Sequence, residues 1–244
     1  MLWNRMAYRN LVILTGAGIS AESGVPTFRA GDGLWMGHRV QDVATPEAFA
    51  RDPALVQDFY NRRRRQLAEV QPNAAHMALA RLAANWEGDF LLVTQNVDDL
   101  HDRAHAAVLP APGFQLIHMH GELLKAHCTA TGRVVDCPGD LDPRHDSPFS
   151  PDGWLRPHIV WFGEMPLAMP VIDAAIRNAD LFVSIGTSGA VYPAAGFVQD
   201  ARRARARTVE INLEPTQGSR RFDTVHYGPA TETVPAFVDD LLKA

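Results

Sequence analysis

The sequence has few cysteines, no long apolar run and no excess of positive charge. Its two cysteines, Cys128 and Cys137, are too few for a disulfide framework, which favours a reducing compartment. No stretch approaches the roughly 20 apolar residues of a membrane-spanning helix, and the first residues lack the apolar core of a secretory signal, so a cytoplasmic location is expected. A formal net charge of −5 disfavours nucleic acid as the main ligand.

The composition is that of an ordinary globular α/β domain. Hydrophobic residues make up 46% of the 244 residues and charged residues 21%. Apolar runs rich in Val, Ile and Leu predict strands at 11–15, 90–94, 114–119, 181–185 and 208–213. Helices are predicted between most of them, at 53–70, 73–86, 168–178, 193–206 and 234–243. This alternation predicts a Rossmann-like, doubly wound parallel sheet that is covered by helices on both faces.

Two stretches do not follow this alternation. Residues 31–71 include an arginine-rich helix, and residues 123–157 are dense in Pro, Gly, Asp and His and carry both cysteines. We expect both stretches to leave the sheet as insertions and to form a smaller lobe. The chain is thus predicted to be one domain over 1–244, with a larger lobe at approximately 1–30, 72–122 and 158–244.

A glycine turn follows the first predicted strand. Residues 16–21 have the G-x-G-x-x-A spacing of a dinucleotide-binding turn. Gly16 allows a tight turn there, and Gly18 lets backbone N–H groups approach a pyrophosphate at a helix N-terminus. Glycines that merely turn a strand into a helix are the alternative. No second strand ending in Asp or Glu follows about 20 residues on, which argues against an ordinary dehydrogenase.

Polar side chains also follow two other predicted strands. Gln95, Asn96 and Asp98 come after the run at 90–94, and His120 comes after the run at 114–119. Both sets therefore lie at the carboxyl edge of the sheet, where open α/β proteins bind ligands. His118 projects from the same face as His120. From the residues alone, either histidine is as much a core histidine with satisfied hydrogen bonds as a catalytic base.

Six short motifs occur in an order that resembles the sirtuin family. They are GAGISAESGVPTFR, TQNVDDLHDRA, HMHG, VWFGE, GTS and NLEP, and together they span nearly the whole chain. The resemblance implies an NAD-dependent protein-lysine deacylase, in which NAD is a consumed co-substrate. The acyl oxygen attacks the nicotinamide ribose, nicotinamide leaves, and the acyl group ends on ADP-ribose. Acylated-lysine proteins or peptides are the implied partners.

The resemblance also implies roles for individual residues. His120 is the general base that accepts a proton from a ribose hydroxyl, and Asn96 and Asp98 are catalytic residues of the nicotinamide pocket. Phe28 covers the sugar against water once nicotinamide has left, unless it is a plain core phenylalanine. The implied NAD contacts are Gly16, Ala17, Gly18, Ile19, Ser20, Phe28, Arg29, Gln95, Asn96, Val97, Asp98, Gly186, Thr187, Ser188, Asn212, Leu213, Glu214 and Ala230.

The predicted acyl pocket depends on Tyr60 and Arg63, three residues apart on one helix face. They resemble the Y-x-x-R motif of sirtuins that prefer malonyl, succinyl or glutaryl lysine. A guanidinium pairs bidentately with a carboxylate, and a tyrosine hydroxyl adds a hydrogen bond. The alternative is a solvated basic face, because Arg63 is one of four consecutive arginines. An extended substrate backbone is expected along the edge formed by Val160, Phe162, Gly163 and Glu164.

The resemblance fails at the zinc module. Most sirtuins hold zinc on four cysteines, whereas this chain has two. Tetrahedral structural zinc would need substitutes from His127, Asp136, Asp140, His145 and Asp146. We predict instead a degenerate, zinc-free module without a bound metal, held by Val134, Val135, Phe149, Trp154 and Leu155.

Other NAD-linked functions compete with deacylation. A mono-ADP-ribosyltransferase would cleave NAD without needing Tyr60 and Arg63. A non-enzymatic NAD or ADP-ribose sensor would be expected to lack His120 or Asn96, and both are present. An NAD glycohydrolase would not need a peptide-binding edge at VWFGE.

Overall fold

The computed structural model describes residues 8–26, 34–35 and 37–243. Its strands are β1 (Asn10–Thr15), β2 (Leu34–Trp35), β3 (His38–Arg39), β4 (Asp89–Thr94), β5 (Phe114–His118), β6 (Gly121–Cys128), β7 (Val134–Asp136), β8 (His145–Asp146), β9 (Trp154–Ile159), β10 (Leu181–Ile185), β11 (Arg207–Asn212) and β12 (Thr224–Tyr227). Its α-helices are α1 (Val40–Val43), α2 (Pro46–Arg51), α3 (Pro53–Leu67), α4 (Ala74–Asn85), α5 (Leu100–Ala106), α6 (Met169–Asn178), α7 (Phe197–Arg203) and α8 (Ala230–Lys243). None of the described helices is long and apolar enough to cross a bilayer.

The main sheet is parallel and has the strand order β12-β11-β10-β1-β4-β5. The predicted doubly wound α/β fold is confirmed, and each predicted strand is present. The short edge strand β12 was not predicted, because its side chains are only partly buried and form no apolar run. The helix predicted at 193–206 begins as a 3-10 turn at Ala194–Gly196 and continues as α7.

Alternate residues of each strand pack into different cores. Leu11 and Ile13 of β1 face a cluster that includes residues of α4 and α8, whereas Val12 and Leu14 face a cluster built with α6 and α7. Because both faces are covered, the inner strands β1, β4 and β10 are largely apolar, as the sequence pattern indicated.

A second sheet is antiparallel, with the order β7-β6-β9-β8, and α3 contacts its strands β6 and β9. Strands β2 and β3 form a separate antiparallel pair. A small apolar cluster beside the second sheet contains both free cysteines, with Val135, Phe149 and Leu155 among its members. Trp154 lies under the guanidinium of Arg144, 4.6 Å from ring centroid to Cζ. The prediction for Val134 was wrong: its side chain is 44% exposed, because it points away from the cluster that Val135 joins.

The order of strands places the site. The chain runs from β1 to β4 on one side of the sheet and later returns to β10 on the other side, so β1 and β10 are neighbours at a topological switch point. Crevices at the carboxyl ends of such strands are the usual ligand sites of open α/β sheets. The turn after β1 and the turn after β10 therefore meet.

Candidate active site

A cavity of about 1140 Å³ lies at the carboxyl edge of the main sheet and extends to α3 and the segment after β9. Typical small-molecule sites have about 300–1,000 Å³, so this cavity has room for a dinucleotide together with part of a second ligand. One end is formed by the glycine turns and residues 212–216 and 228–230, and the other by Tyr60, Arg63 and residues 159–164. Residues 95–98 and His120 lie between the two ends in the lining.

The two glycine turns pack backbone against backbone. Gly18 N donates to the carbonyl of Gly186 at 2.9 Å, and a Cβ on Gly18 would lie 2.7 Å from Gly186 Cα. Gly186 itself has a left-handed φ of +62°. The chain then continues as 3-10 turns at Ala17–Ile19 and Ala21–Ser23. The sequence pattern predicted a helix N-terminus after Gly16, and the structure has 3-10 turns there, with the N–H of Gly18 itself used to join the two glycine turns.

A buried hydroxyl holds the two polar residues that follow β4. Ser20 Oγ donates to Asp98 Oδ2 at 3.0 Å and accepts from Asn96 Nδ2 at 3.1 Å, and this Nδ2 also lies 3.2 Å from the carbonyl oxygen of Gly16. Burial raises the pKa of the Asp98 carboxyl. Ser20 is fully buried, and so is Ile19, which packs into the core. Both were predicted to contact NAD, yet they lie behind the cavity lining.

The structure distinguishes the two histidines of HMHG. His120 Nδ1 lies 3.1 Å from the carbonyl oxygen of Gln95. A carbonyl can only accept, so Nδ1 carries the hydrogen. Burial lowers the pKa of His120, although this hydrogen bond opposes the shift. The ring is therefore neutral near pH 7, and Nε2 keeps the lone pair that a general base needs.

His118 is instead part of an ion pair. Its Nε2 lies 2.9 Å from Asp102 Oδ2, and its Nδ1 lies 3.4 Å from the carbonyl oxygen of Asn96. Burial lowers the pKa of His118, but the hydrogen bond and the charge of Asp102 outweigh it, and the net shift is upward. Acceptors at both nitrogens favour the protonated ring, which can donate from each, so His118 is less suited than His120 to act as a base.

The four consecutive arginines of α3 have different environments. Arg62 and Arg65 are exposed and pair with Asp58 at 2.7 Å and Asp140 at 2.5 Å. Arg64 is buried and donates to the carbonyl of Leu123 and to a side-chain oxygen of the same helix. Arg63 is 8% exposed and lines the cavity. The solvated basic face therefore does not describe Arg63.

Tyr60 and Arg63 place a neutral phenol and a buried cation in the cavity wall. Burial raises the pKa of Tyr60 to about 12 and lowers the pKa of Arg63 to about 10. At neutral pH the tyrosine thus keeps its proton and the arginine keeps its charge. The hydroxyl of Tyr60 accepts a hydrogen bond from Trp161 Nε1 at 2.9 Å.

The segment expected to bind substrate backbone follows β9, which ends at Ile159. Val160, Phe162, Gly163 and Glu164 all line the cavity. Val160 N donates to the carbonyl of His120, Phe162 N to that of Ala44 and Glu164 N to that of Trp161. With the bond from Trp161 N to Glu164, four N–H groups of residues 160–164 are used within the protein. The Glu164 carboxylate accepts from Arg156 at 2.8 Å and from Trp161 N at 2.8 Å.

Comparison with known proteins decides the family. The model of the Sir2 family matches residues 16–193, which is most of the chain. The chain belongs to the Sir2 family. One relative of the Sir2 chain is the NAD-dependent protein deacylase of Escherichia coli (strain K12), 58% identical over 238 residues, which cover 96% of this chain and 82% of the relative. The protein of the same name from Vibrio vulnificus (strain YJ016) is 55% identical over 240 residues, covering 96% of this chain and 94% of the relative.

Solved structures resemble this Sir2-family chain over nearly its whole length. A Sir2 homologue mutant in complex with ADP-ribose superposes with a TM-score of 0.86 at 35% identity, covering 98% of this chain and 94% of that one. A Sir2 homologue in complex with NAD gives a TM-score of 0.84 at 36% identity, with coverages of 96% and 89%. The resemblance to sirtuins and the fold that it implies are confirmed.

Most residues that the Sir2 resemblance assigned to the site line the one cavity. For NAD these are Gly16, Ala17, Gly18, Gln95, Asn96, Val97, Asp98, Gly186, Thr187, Ser188, Asn212, Leu213, Glu214 and Ala230. Phe28 and Arg29 lie outside the described residues. Sequence reasoning missed lining residues such as Gln41, Thr45, Tyr192 and Pro229, which lie outside the six motifs. Trp161 lies within the predicted substrate edge VWFGE and also lines the cavity.

The zinc module of the Sir2 family does not fit the residues present. Both cysteines are buried in the apolar cluster of the antiparallel sheet, and Cys137 Sγ donates to the carbonyl of Gly139 at 3.4 Å. In the part of the chain that the structure describes, potential metal ligands meet in threes only at Asp102, His118 and Glu122, away from both cysteines. The zinc-free module stays a prediction.

Proposed function

We propose that this Sir2-family chain is an NAD-dependent protein-lysine deacylase that removes succinyl and malonyl groups, and also acetyl groups. One water is consumed, and nicotinamide, the free lysine and O-acyl-ADP-ribose are the products. The observation that carries the proposal is the shared cavity, in which the neutral imidazole of His120 and the buried cation of Arg63 both lie. The name of the relatives, NAD-dependent protein deacylase, supports the general activity.

In this proposal NAD extends across the glycine turns. The adenosine half lies near residues 212–214 and Ala230, the phosphates lie near residues 16–18 and 187–188, and the nicotinamide lies against Asn96 and Asp98. Glycine at position 18 lets the two turns pack this closely, because a Cβ there would lie 2.7 Å from Gly186 Cα. Two similar structures, solved in complex with ADP-ribose and with NAD, support a dinucleotide ligand.

NAD supplies the ribose carbon that the acyl carbonyl oxygen attacks as nicotinamide leaves. His120 then accepts the proton of a ribose hydroxyl on Nε2, which raises the nucleophilicity of that oxygen toward the acyl carbon. The Gln95 carbonyl holds Nδ1–H at 3.1 Å and stabilises the imidazolium that forms. Ser20 fixes Asn96 and Asp98 by hydrogen bonds, so that the nicotinamide pocket is preorganised.

The proposed preference for acidic acyl groups follows from the buried positive charge of Arg63. A carboxylate on the acyl chain would meet the Arg63 guanidinium and the protonated Tyr60 hydroxyl where little water competes. An acetyl group has no carboxylate, so it forms no ion pair with the buried Arg63 guanidinium. Acidic acyl groups are therefore bound more tightly than acetyl groups.

The test incubates the protein with NAD and a pair of peptides that differ only in an acetyl or a succinyl lysine, and follows peptide and nucleotide masses. Acyl-ADP-ribose should form only when peptide is present, and faster from the succinyl peptide. Nicotinamide release without peptide would instead indicate a glycohydrolase, a mass gain of ADP-ribose on protein a transferase, and no NAD consumption a sensor. The cytoplasmic location and the lack of nucleic-acid binding stay predictions of the sequence.

A further inference from the structure

Trp161 is enclosed by two charged residues that sequence reasoning did not connect. Arg156 of β9 is 9% exposed, and its guanidinium Cζ lies 3.7 Å from the centroid of the Trp161 ring. Arg156 NH2 donates to the carbonyl of Ile159 at 3.1 Å and to Glu164 Oε2 at 2.8 Å. The cation is thus held over the indole ring by two hydrogen bonds.

The carboxylate of Glu164 holds the same tryptophan from its backbone. Glu164 Oε2 accepts from Trp161 N at 2.8 Å, in addition to the bond from Arg156. Burial raises the pKa of Glu164, but the hydrogen bonds from Arg156 and Trp161 outweigh it, and the net shift is downward. Glu164 therefore remains ionised and keeps both partners in place. Through Oε2, its carboxylate fixes the backbone of Trp161.

Trp161 in turn fixes the hydroxyl of Tyr60. An indole N–H can only donate, so at 2.9 Å the oxygen of Tyr60 accepts from Trp161 Nε1. Any further bond to an acceptor must use the hydrogen of the phenol, which is retained because burial raises the pKa to about 12. Trp161 is only 2% exposed and cannot swing aside without losing its stacking on Arg156.

We propose that Arg156 is a positioning residue for selectivity toward acidic acyl groups. Arg156 is not among the described residues that line the cavity. It acts through Trp161, which aims the hydrogen of the Tyr60 hydroxyl at the acyl carboxylate. This inference rests on the proposed deacylase function. Since an acetyl group has no carboxylate, the effect of Arg156 should be specific to acidic substrates.

The experiment measures kcat/KM for the matched succinyl and acetyl peptides in Arg156→Lys and Trp161→Phe variants. Lysine keeps the charge but loses the planar stack and the fork of donors, and phenylalanine keeps a ring but loses the indole N–H. Each variant misaligns or removes the neutral hydrogen bond from Trp161 Nε1 to the Tyr60 hydroxyl. The ratio of succinyl to acetyl kcat/KM should therefore fall about 2- to 12-fold in each variant. Arg144→Lys is the matched control, since Arg144 also lies over a tryptophan, Trp154, and neither of these two residues is among the described residues that line the cavity. It should leave the ratio unchanged.

A Tyr60→Phe background completes the test. With the hydroxyl gone, Arg156→Lys and Trp161→Phe should lower the ratio no further. Equal loss of both activities, or a fall that persists without the Tyr60 hydroxyl, overturns the inference. Thermal unfolding identifies a variant that fails to fold, and the other variant then tests the same link. Failure of the proposed function is seen separately, because the unmodified protein would then not transfer the succinyl group at all.

Discussion

Replacing Arg63 with methionine should separate the two deacylase activities of this chain. The side chain is 8% exposed and lines the cavity, so its charge interacts with an acyl carboxylate with little competition from water. A hydrogen bond to a charged group contributes about 1.5–3 kcal/mol, which corresponds to a fall of about 10- to 150-fold in kcat/KM for a succinyl peptide. The acetyl peptide should be deacylated at nearly the original rate.

The neighbouring arginine provides the matched control. Arg62 is exposed on the same helix and pairs with Asp58, so Arg62→Met should leave both activities unchanged. The assay is steady-state kcat/KM with the two peptides at saturating NAD. Equal loss of desuccinylation and deacetylation in Arg63→Met would refute the assignment of the acyl pocket.

The same substitution should lower desuccinylation but not the stability of the fold. Burial lowers the pKa of Arg63 from 12.5 to about 10. The side chain stays charged at neutral pH, but its charged form is less stable in the folded state than in the unfolded state. This difference corresponds to a penalty on the order of 3 kcal/mol. Arg63→Met should therefore unfold at the same or a higher urea concentration than the unmodified protein. A marked loss of stability would mean that Arg63 holds the fold together instead of serving a ligand.

Other predictions concern the neighbouring residues. Burial lowers the pKa of His120, so the acid limb of the pH profile of kcat/KM should lie below pH 6.5; a limb above this value contradicts a neutral base. Gly121 has a φ of +84°, and an added Cβ would lie 2.0 Å from a β9 carbonyl oxygen, so Gly121→Ala should lower the free energy of unfolding well beyond the about 1–2 kcal/mol of left-handed strain. Gly132→Ala, at a φ of +70° with open space around it, should show that strain alone, and similar losses would count against the clash. The folded-state pKa of His118 lies above 6.5, so its pairing with Asp102 stabilises the fold below pH 6.5 and is lost as the pH rises through the raised value. In denaturant unfolding, Asp102→Asn should thus destabilise most in acid, and equal effects in acid and alkali would exclude the pair. Metal analysis of protein purified without chelator should find far less than one zinc per chain, and one zinc per chain would refute the zinc-free module.

Local pattern predicted most of the main sheet because strands β1, β4, β10 and β11 are largely buried on both faces. Their apolar runs needed no tertiary information, since a strand covered on both sides is largely apolar along its length. The edge strand β5 is less buried, yet its run was apolar enough to predict a strand. The edge strand β12 has one neighbour, β11, and is only partly buried, so its sequence is polar enough to escape notice. The α-helix expected after Gly16 is replaced by 3-10 turns, which bring Gly18 against Gly186.

The sequence by itself determined the family, the sheet and the set of residues near the cavity, because these depend on residue type and order along the chain. Only the tertiary structure decided what equivalent-looking residues do. Arg62 and Arg63 are neighbours of the same type, yet one meets solvent and Asp58 and the other the cavity. His118 and His120 differ likewise, because a carboxylate faces one ring and a carbonyl the other. The protonation state and the solvent exposure of these side chains depend on residues that are distant in sequence and come together only in the folded chain. No local sequence pattern therefore predicts them.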